Sequence, residues 1–156
     1  MLQIETWVNN EVLRDTCEEI KINEIKKYEK LWNEMIKYIK DPENGWVGLA
    51  APQIGVNKRL VVVSLLKDRD DEDFKTIMMM NPVILEHSEV TDTEEEWCLS
   101  VPGAKGNVKR YLTIKLQYKD NKGKEKNLRL NGLSARIVQH EIDHINWVLF
   151  VDKLEK

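Results

Sequence analysis

Long apolar runs are missing from this sequence. The longest, residues 60–66, is interrupted by Ser64 and falls far short of the roughly 20 apolar residues that a membrane-spanning helix requires. The N-terminal stretch MLQIETWVNNEVLRD has no basic segment leading into an apolar one, so neither a secretory signal nor an Arg-rich transit peptide is expected. A cytoplasmic protein without membrane contact is the reading. Cysteine is scarce: Cys17 and Cys98 are the only two, too few for the disulfide framework of small secreted proteins. Basic charge is not in excess either. With 24 Lys and Arg against 27 Asp and Glu the formal net charge is −3, which gives no global electrostatic reason to bind a nucleic-acid sequence, although a local basic patch is compatible with it. Internal repeats and low-complexity linkers are absent as well.

What remains is enough for one domain. A chain of 156 residues can bury a real core but not two substantial ones, and we expect residues 1–156 to form a single domain. Ile22, Ile25, Tyr28, Leu31, Trp32, Met35, Ile36 and Ile39 recur at helical spacing, which predicts an amphipathic helix capped by Asn23 and ended by Asp41-Pro42. Residues 59–66 are rich in β-branched side chains and read as a buried strand; residues 76–85, broken by Asn81-Pro82, read as a strand with a bulge or at an edge. Residues 111–118 alternate apolar with mostly polar side chains, and a turn at 121–123 leads into a short strand at 128–130, giving a hairpin. Helical spacing returns from Leu133 to about Trp147. Strands thus lie between two helices, an α+β arrangement rather than a wound parallel sheet. The acidic run 68–73 reads as a solvated loop.

The chemistry concentrates in His140-Glu141-Ile142-Asp143-His144. Residues four apart on a helix stack one turn above the other, so both imidazoles can reach one metal ion, and Glu141 sits beside them as a general base. Two histidines and an acid can also be the polar edge of a helix. A catalytic site of this kind needs a third ligand and one open position. His87, the only other histidine, stands in an undistinguished Leu-Glu-His-Ser-Glu stretch at a strand end. Cys98 is the better candidate because a thiolate is a strong ligand for a borderline-soft ion. Alone, a cytosolic cysteine is more often a small buried hydrophobe.

Three segments together resemble the peptide deformylases: Gly48-Leu49-Ala50-Ala51-Pro52-Gln53-Ile54-Gly55, Glu96 with Cys98-Leu99-Ser100, and Gln139-His140-Glu141-Ile142-Asp143-His144. Order and rough spacing match, and the resemblance runs from about Val12-Leu13-Arg14 to Leu154, taking in Val101-Pro102-Gly103 and Val108-Lys109-Arg110. It implies an α+β fold of mixed or antiparallel sheets around a central helix carrying the two histidines. It also implies one divalent ion on Cys98, His140 and His144, commonly Fe²⁺ with Zn²⁺, Ni²⁺ or Co²⁺ able to substitute, and removal of the formyl group from N-terminal formylmethionine. Glu141 would be the general base, with Gln53 and the Leu99 N–H stabilising negative charge on the formyl oxygen. Val47, Gly48 and Trp97 would border the peptide. Leu133 and Ile137, seven and three residues before His140, would share its helix face and form an apolar wall for methionine. Glu96 and Arg110 would pair behind the site. Formylmethionyl peptides are the implied partners, with transient ribosome engagement and a monomeric chain.

Three positions depart from that pattern, with tryptophan where glycine is usual: Trp46, Trp97 and Trp147. Glycine commonly marks a positive φ or a close backbone approach. Either the rings point outward and fill gaps, or Trp46 and Trp97 flank the cleft and leave a metalloprotein of reduced or redirected activity. If Trp97 covers the cleft, removing its ring should open space for bulky peptides.

Overall fold

The computed structural model describes residues 2–156. Its elements run α1 (Glu29–Lys40), β1 (Gly48–Ala50), β2 (Leu60–Leu65), β3 (Lys75–His87), β4 (Thr91–Trp97), β5 (Lys105–Tyr111), β6 (Thr113–Lys119), β7 (Glu125–Asn131) and α2 (Gly132–Ile145), with short 3-10 stretches before α1, between β1 and β2, and after α2. Five strands form one sheet in the order β1-β2-β3-β6-β7, and β4 pairs only with β5. Every ladder is antiparallel. The fold is α+β, as the order of periodicities implied.

Strand β2 explains its own composition. Val61 and Val63 project into a core shared with α2, whereas Leu60 and Val62 project into a second core under α1. A strand buried on both faces has no use for alternation. Trp32, Met35 and Ile39 are the fully packed positions of α1, and the chain leaves the helix at Asp41 in an extended conformation, as a residue before proline prefers.

Two expectations change. The helix predicted from Ile22 is a 3-10 stretch over Ile22–Tyr28 followed by α1. Its start is closed by Glu24, whose carboxylate accepts the Lys21 N–H at 3.1 Å, and not by Asn23. The β4–β5 ribbon was not legible, because Asp92, Glu94, Glu95 and Glu96 make β4 a poor strand by propensity. Tertiary partners override this: Arg110 lies opposite Asp92 and Lys109 opposite Thr93. The bulge at Asn81-Pro82 is present, with a register shift between Met80 and Val83. There Asn81 takes φ 52 and exchanges two 2.9 Å bonds with the Ile20 backbone.

Helix α2 is the centre of the molecule. Buried residues surround nearly its whole circumference, including Arg136, Gln139, Glu141 and His144. Among the described residues no helix is long and apolar enough to cross a membrane.

Candidate active site

On α2, His140 and His144 are one turn apart, with ring centroids at 5.2 Å. Cys98, immediately after β4, brings its Sγ to 3.3 Å from His144 Nε2. Ligand atoms of the three residues lie within 4.8 Å of one another. The sulfur is oriented by two N–H groups, the Ser100 backbone at 3.4 Å and Gln53 Nε2 at 3.5 Å. Gln53 is itself locked in the 3-10 turn Ala51–Ile54: its Oε1 accepts the Ala50 N–H at 2.9 Å and its Nε2 also donates to Ser100 Oγ at 3.1 Å.

The donor set fits a borderline divalent cation. His140 Nδ1 is bonded to Glu96 Oε1 at 2.8 Å, which leaves Nε2 for a metal, the usual carboxylate–histidine arrangement. Burial would lower the His140 pKa, but the Cys98 thiol, Glu96 and Glu141 overcome it and hold the ring above its ordinary range. The surroundings therefore favour positive charge at this point. Burial, together with the nearby His140 and Arg110, pushes His144 below its ordinary value and keeps it in the neutral form that ligates.

Glu141 is buried beside the pair, and burial pushes its carboxyl up to about 7, the range suited to a proton carrier near neutrality. Neighbouring His140 and Arg110 oppose this shift, and Glu96 and Asp143 add to it. Its Oε1 has no hydrogen-bond partner among the described residues, so the oxygen is available to a guest. Its Oε2 rests against Gly48, where a Cβ would come within 2.5 Å.

Beside Cys98 and His140 lies a charged network. Glu96 accepts from Arg110 at 2.9 and 2.8 Å and from Arg136 at 2.6 Å. Arg136 also reaches Asp92 at 2.9 Å, and Arg110 pairs with Asp143. Burial alone would raise the Glu96 pKa; the Arg110 and His140 bonds outweigh it and hold the carboxyl below the usual range. The Glu96–Arg110 pair was expected, whereas Arg136, Asp143 and Ser100 were not. Arg136 did carry a signal, since it precedes His140 by four residues and so shares its helix face.

An open cleft of about 170 Å³ leads to these groups. Val47, Gly48, Gln53, Leu99, Leu133 and Ile137 line it together with Cys98, His140 and Glu141. Trp46 and Trp97 line it too, as does Arg69, which nothing in the sequence singled out. Trp147 is not among the lining residues. It is half-exposed at φ 54, with its carbonyl accepting from Arg14 Nη1 at 3.0 Å. His87 is stacked on Tyr111 at 3.7 Å and stays outside the ligand group.

Comparison with known proteins gives a consistent set of likenesses. A family model described as "Polypeptide deformylase" matches residues 1–156. The peptide deformylase of Prochlorococcus marinus strain NATL1A is 48% identical over 108 residues, or 69% of this chain and 52% of that protein. The chain thus spans about half the length of this curated relative in the match. A probable peptide deformylase from Synechococcus phage S-SSM7 superposes with a TM-score of 0.85 at 38% identity, covering 99% of this chain and 100% of that one. A class I type b peptide deformylase from Acinetobacter baumannii, solved with Met-Ala-Ser bound, superposes with a TM-score of 0.84 at 31% identity, covering 99% and 98%.

Proposed function

The chain belongs to the polypeptide deformylase family, and from that premise we propose that it hydrolyses the formyl group from N-terminal formylmethionine of newly made polypeptides, releasing formate. The observation that carries this reading is the convergence of Cys98, His140 and His144, with Cys98, His140 and the buried Glu141 on the wall of an open cleft. Cys98 Sγ and the Nε2 atoms of His140 and His144 would hold one divalent ion, Fe²⁺ by family resemblance, with Zn²⁺, Ni²⁺ or Co²⁺ as substitutes. Bound there, the ion would supply Lewis acidity toward the formyl oxygen and make water easier to deprotonate.

The chain's own groups account for the rest. Leu133 and Ile137 take the methionine side chain against an apolar wall, with Val47 and Gly48 bordering the peptide. Glu141 accepts the proton of the attacking water on its carboxylate. Gln53 Nε2, turning one N–H away from its long 3.5 Å contact with Cys98 Sγ, and the Leu99 N–H donate to the formyl oxygen as it gains negative charge. Glu141 then returns its proton to the methionine nitrogen as the C–N bond breaks, so water ends as formate and a free amino group. Glu96 and Arg110 are positioning residues, holding His140 in orientation. The alternative of a redirected activity is not needed to accommodate Trp46 and Trp97, because the cleft between them and the ligands is open. We further propose that residues 1–156 act as one domain, in the cytoplasm, as a monomer that meets its substrate at the ribosome.

The test is formate release from formyl-Met-Ala-Ser by anaerobically purified protein, with metal content measured on the same sample. Glu141→Gln should keep the metal and lose on the order of 10²–10⁴-fold in turnover. Near wild-type turnover in that variant would remove Glu141 from its role.

A further inference from the structure

Residues 67–73 hold five carboxylates, Asp68, Asp70, Asp71, Glu72 and Asp73, around a single arginine. The loop folds back on itself through its acids. Asp68 Oδ1 accepts the Asp70 N–H at 3.0 Å, and Asp71 accepts the Lys67 and Asp73 N–H groups at 2.9 and 3.0 Å. Arg69 lines the cleft. None of the ion pairs among the described residues includes it; its guanidinium instead lies 5.5 Å from the centre of the Trp97 ring, within cation–π range.

Trp97 ends β4 and lies on the strand face opposite that of Glu96. Trp97 is 46% exposed and Val47 is 38% exposed, and both line the cleft along with half-buried Trp46. Large apolar surface left open beside a reactive centre is surface for a ligand to cover. The methionine wall, Leu133 and Ile137, lies on α2, so these rings are free for the substrate residue after methionine.

We propose that Arg69 and Trp97 form a specificity-determining pair: the guanidinium holds the indole as the outer wall of the cleft, and the wall selects formylmethionyl peptides whose next residue is aromatic or a large aliphatic. This rests on the deformylase reading. Trp97 is a wall rather than a plug, so removing it weakens bulky substrates instead of admitting them. Contacts of this sort are equal in ground state and transition state, so the preference resides in KM with little change in kcat.

The test uses metal-loaded enzyme and formyl-Met-Xaa-Ser peptides with Xaa as Gly, Leu, Phe, Asp or Lys. Wild type should favour Phe over Gly by roughly fivefold to tenfold in kcat/KM. Trp97→Gly should flatten that ratio, Trp97→Phe should restore most of it, and Arg69→Ala should lower it partway. Both side chains are exposed, and melting curves check that each variant is folded. In parallel, calorimetry with the unformylated Met-Phe-Ser and Met-Gly-Ser reads the same preference without turnover. Formate from no peptide, with Phe still preferred in calorimetry, would defeat the deformylase reading and leave the wall standing. A flat series in wild type, or a ratio unmoved by Trp97→Gly, would overturn the proposal. An Asp preference abolished by Arg69→Ala would overturn it too, since the guanidinium would then be reading charge.

Discussion

Gly48 and Trp147 put opposite demands on a missing or present side chain. At Gly48 the need is proximity: a Cβ would sit 2.5 Å from Glu141 Oε2, closer than any stable contact. Gly48→Ala should therefore displace the Glu141 carboxyl while sparing the ligands. We expect full metal content and a loss in kcat on the order of 10²-fold, the usual consequence of moving a catalytic group by about 1 Å. Unchanged formate release would mean that the strand yields instead. At Trp147 the demand is conformational. Its φ of 54 is left-handed backbone, which costs an L-residue about 1–2 kcal/mol. Both Trp147→Gly and Trp147→Ala lose the indole, but only glycine escapes the strain. Urea unfolding should find the glycine variant more stable than the alanine variant by about 1 kcal/mol, and the reverse order would show that the strain is not there.

At the level of elements, the β4–β5 ribbon meets α2 through ionic contacts as well as apolar ones. Val108 and Cys98 pack with Leu149 and Phe150 in a small core of their own, and the tie to α2 runs through Glu96, bonded to His140 on α2, to Arg136 on α2 and to Arg110 on β5. Glu96→Ala would leave two buried guanidiniums without their shared carboxylate. Removing one partner of a buried ion network typically costs about 3–5 kcal/mol, and we expect that loss in denaturant unfolding, accompanied by weaker metal retention because His140 loses its orienting bond. A destabilisation under about 1 kcal/mol would mean that the network stabilises no more than exposed pairs do.

The whole molecule carries its site across the joint between these parts. Cys98 follows β4, while His140 and His144 belong to α2, so an ion held by all three would clip ribbon to helix. A ligand at one hundred times its Kd stabilises by about 2.7 kcal/mol, worth roughly 5–10 °C in Tm for a chain of this size. Chelation should lower the melting temperature of the wild type by about that amount. Cys98→Ala, left with two ligands, should hold little metal and show no such response. Elemental analysis finding full occupancy in that variant, or a chelator shift of equal size, would remove Cys98 from the site.

Much of this was determined by the sequence alone, because the signals were periodic or local. Spacing of four placed His140 and His144 on one helix face, spacing of seven and three put Leu133 and Ile137 beside them, and Asn81-Pro82 marked the break in β3. The three motifs, taken together, named the family. Tertiary structure decided what depends on residues distant in the chain. A run of acids became strand β4 only because β5 lies alongside it, and Arg136 became part of the site only because Glu96, 40 residues earlier, points at it. Likewise the position of Trp97, on the cleft with Arg69 over its ring while Trp147 lies elsewhere, comes from how a self-bonded acidic loop and a strand end meet in space. Local propensity holds no information about such a meeting.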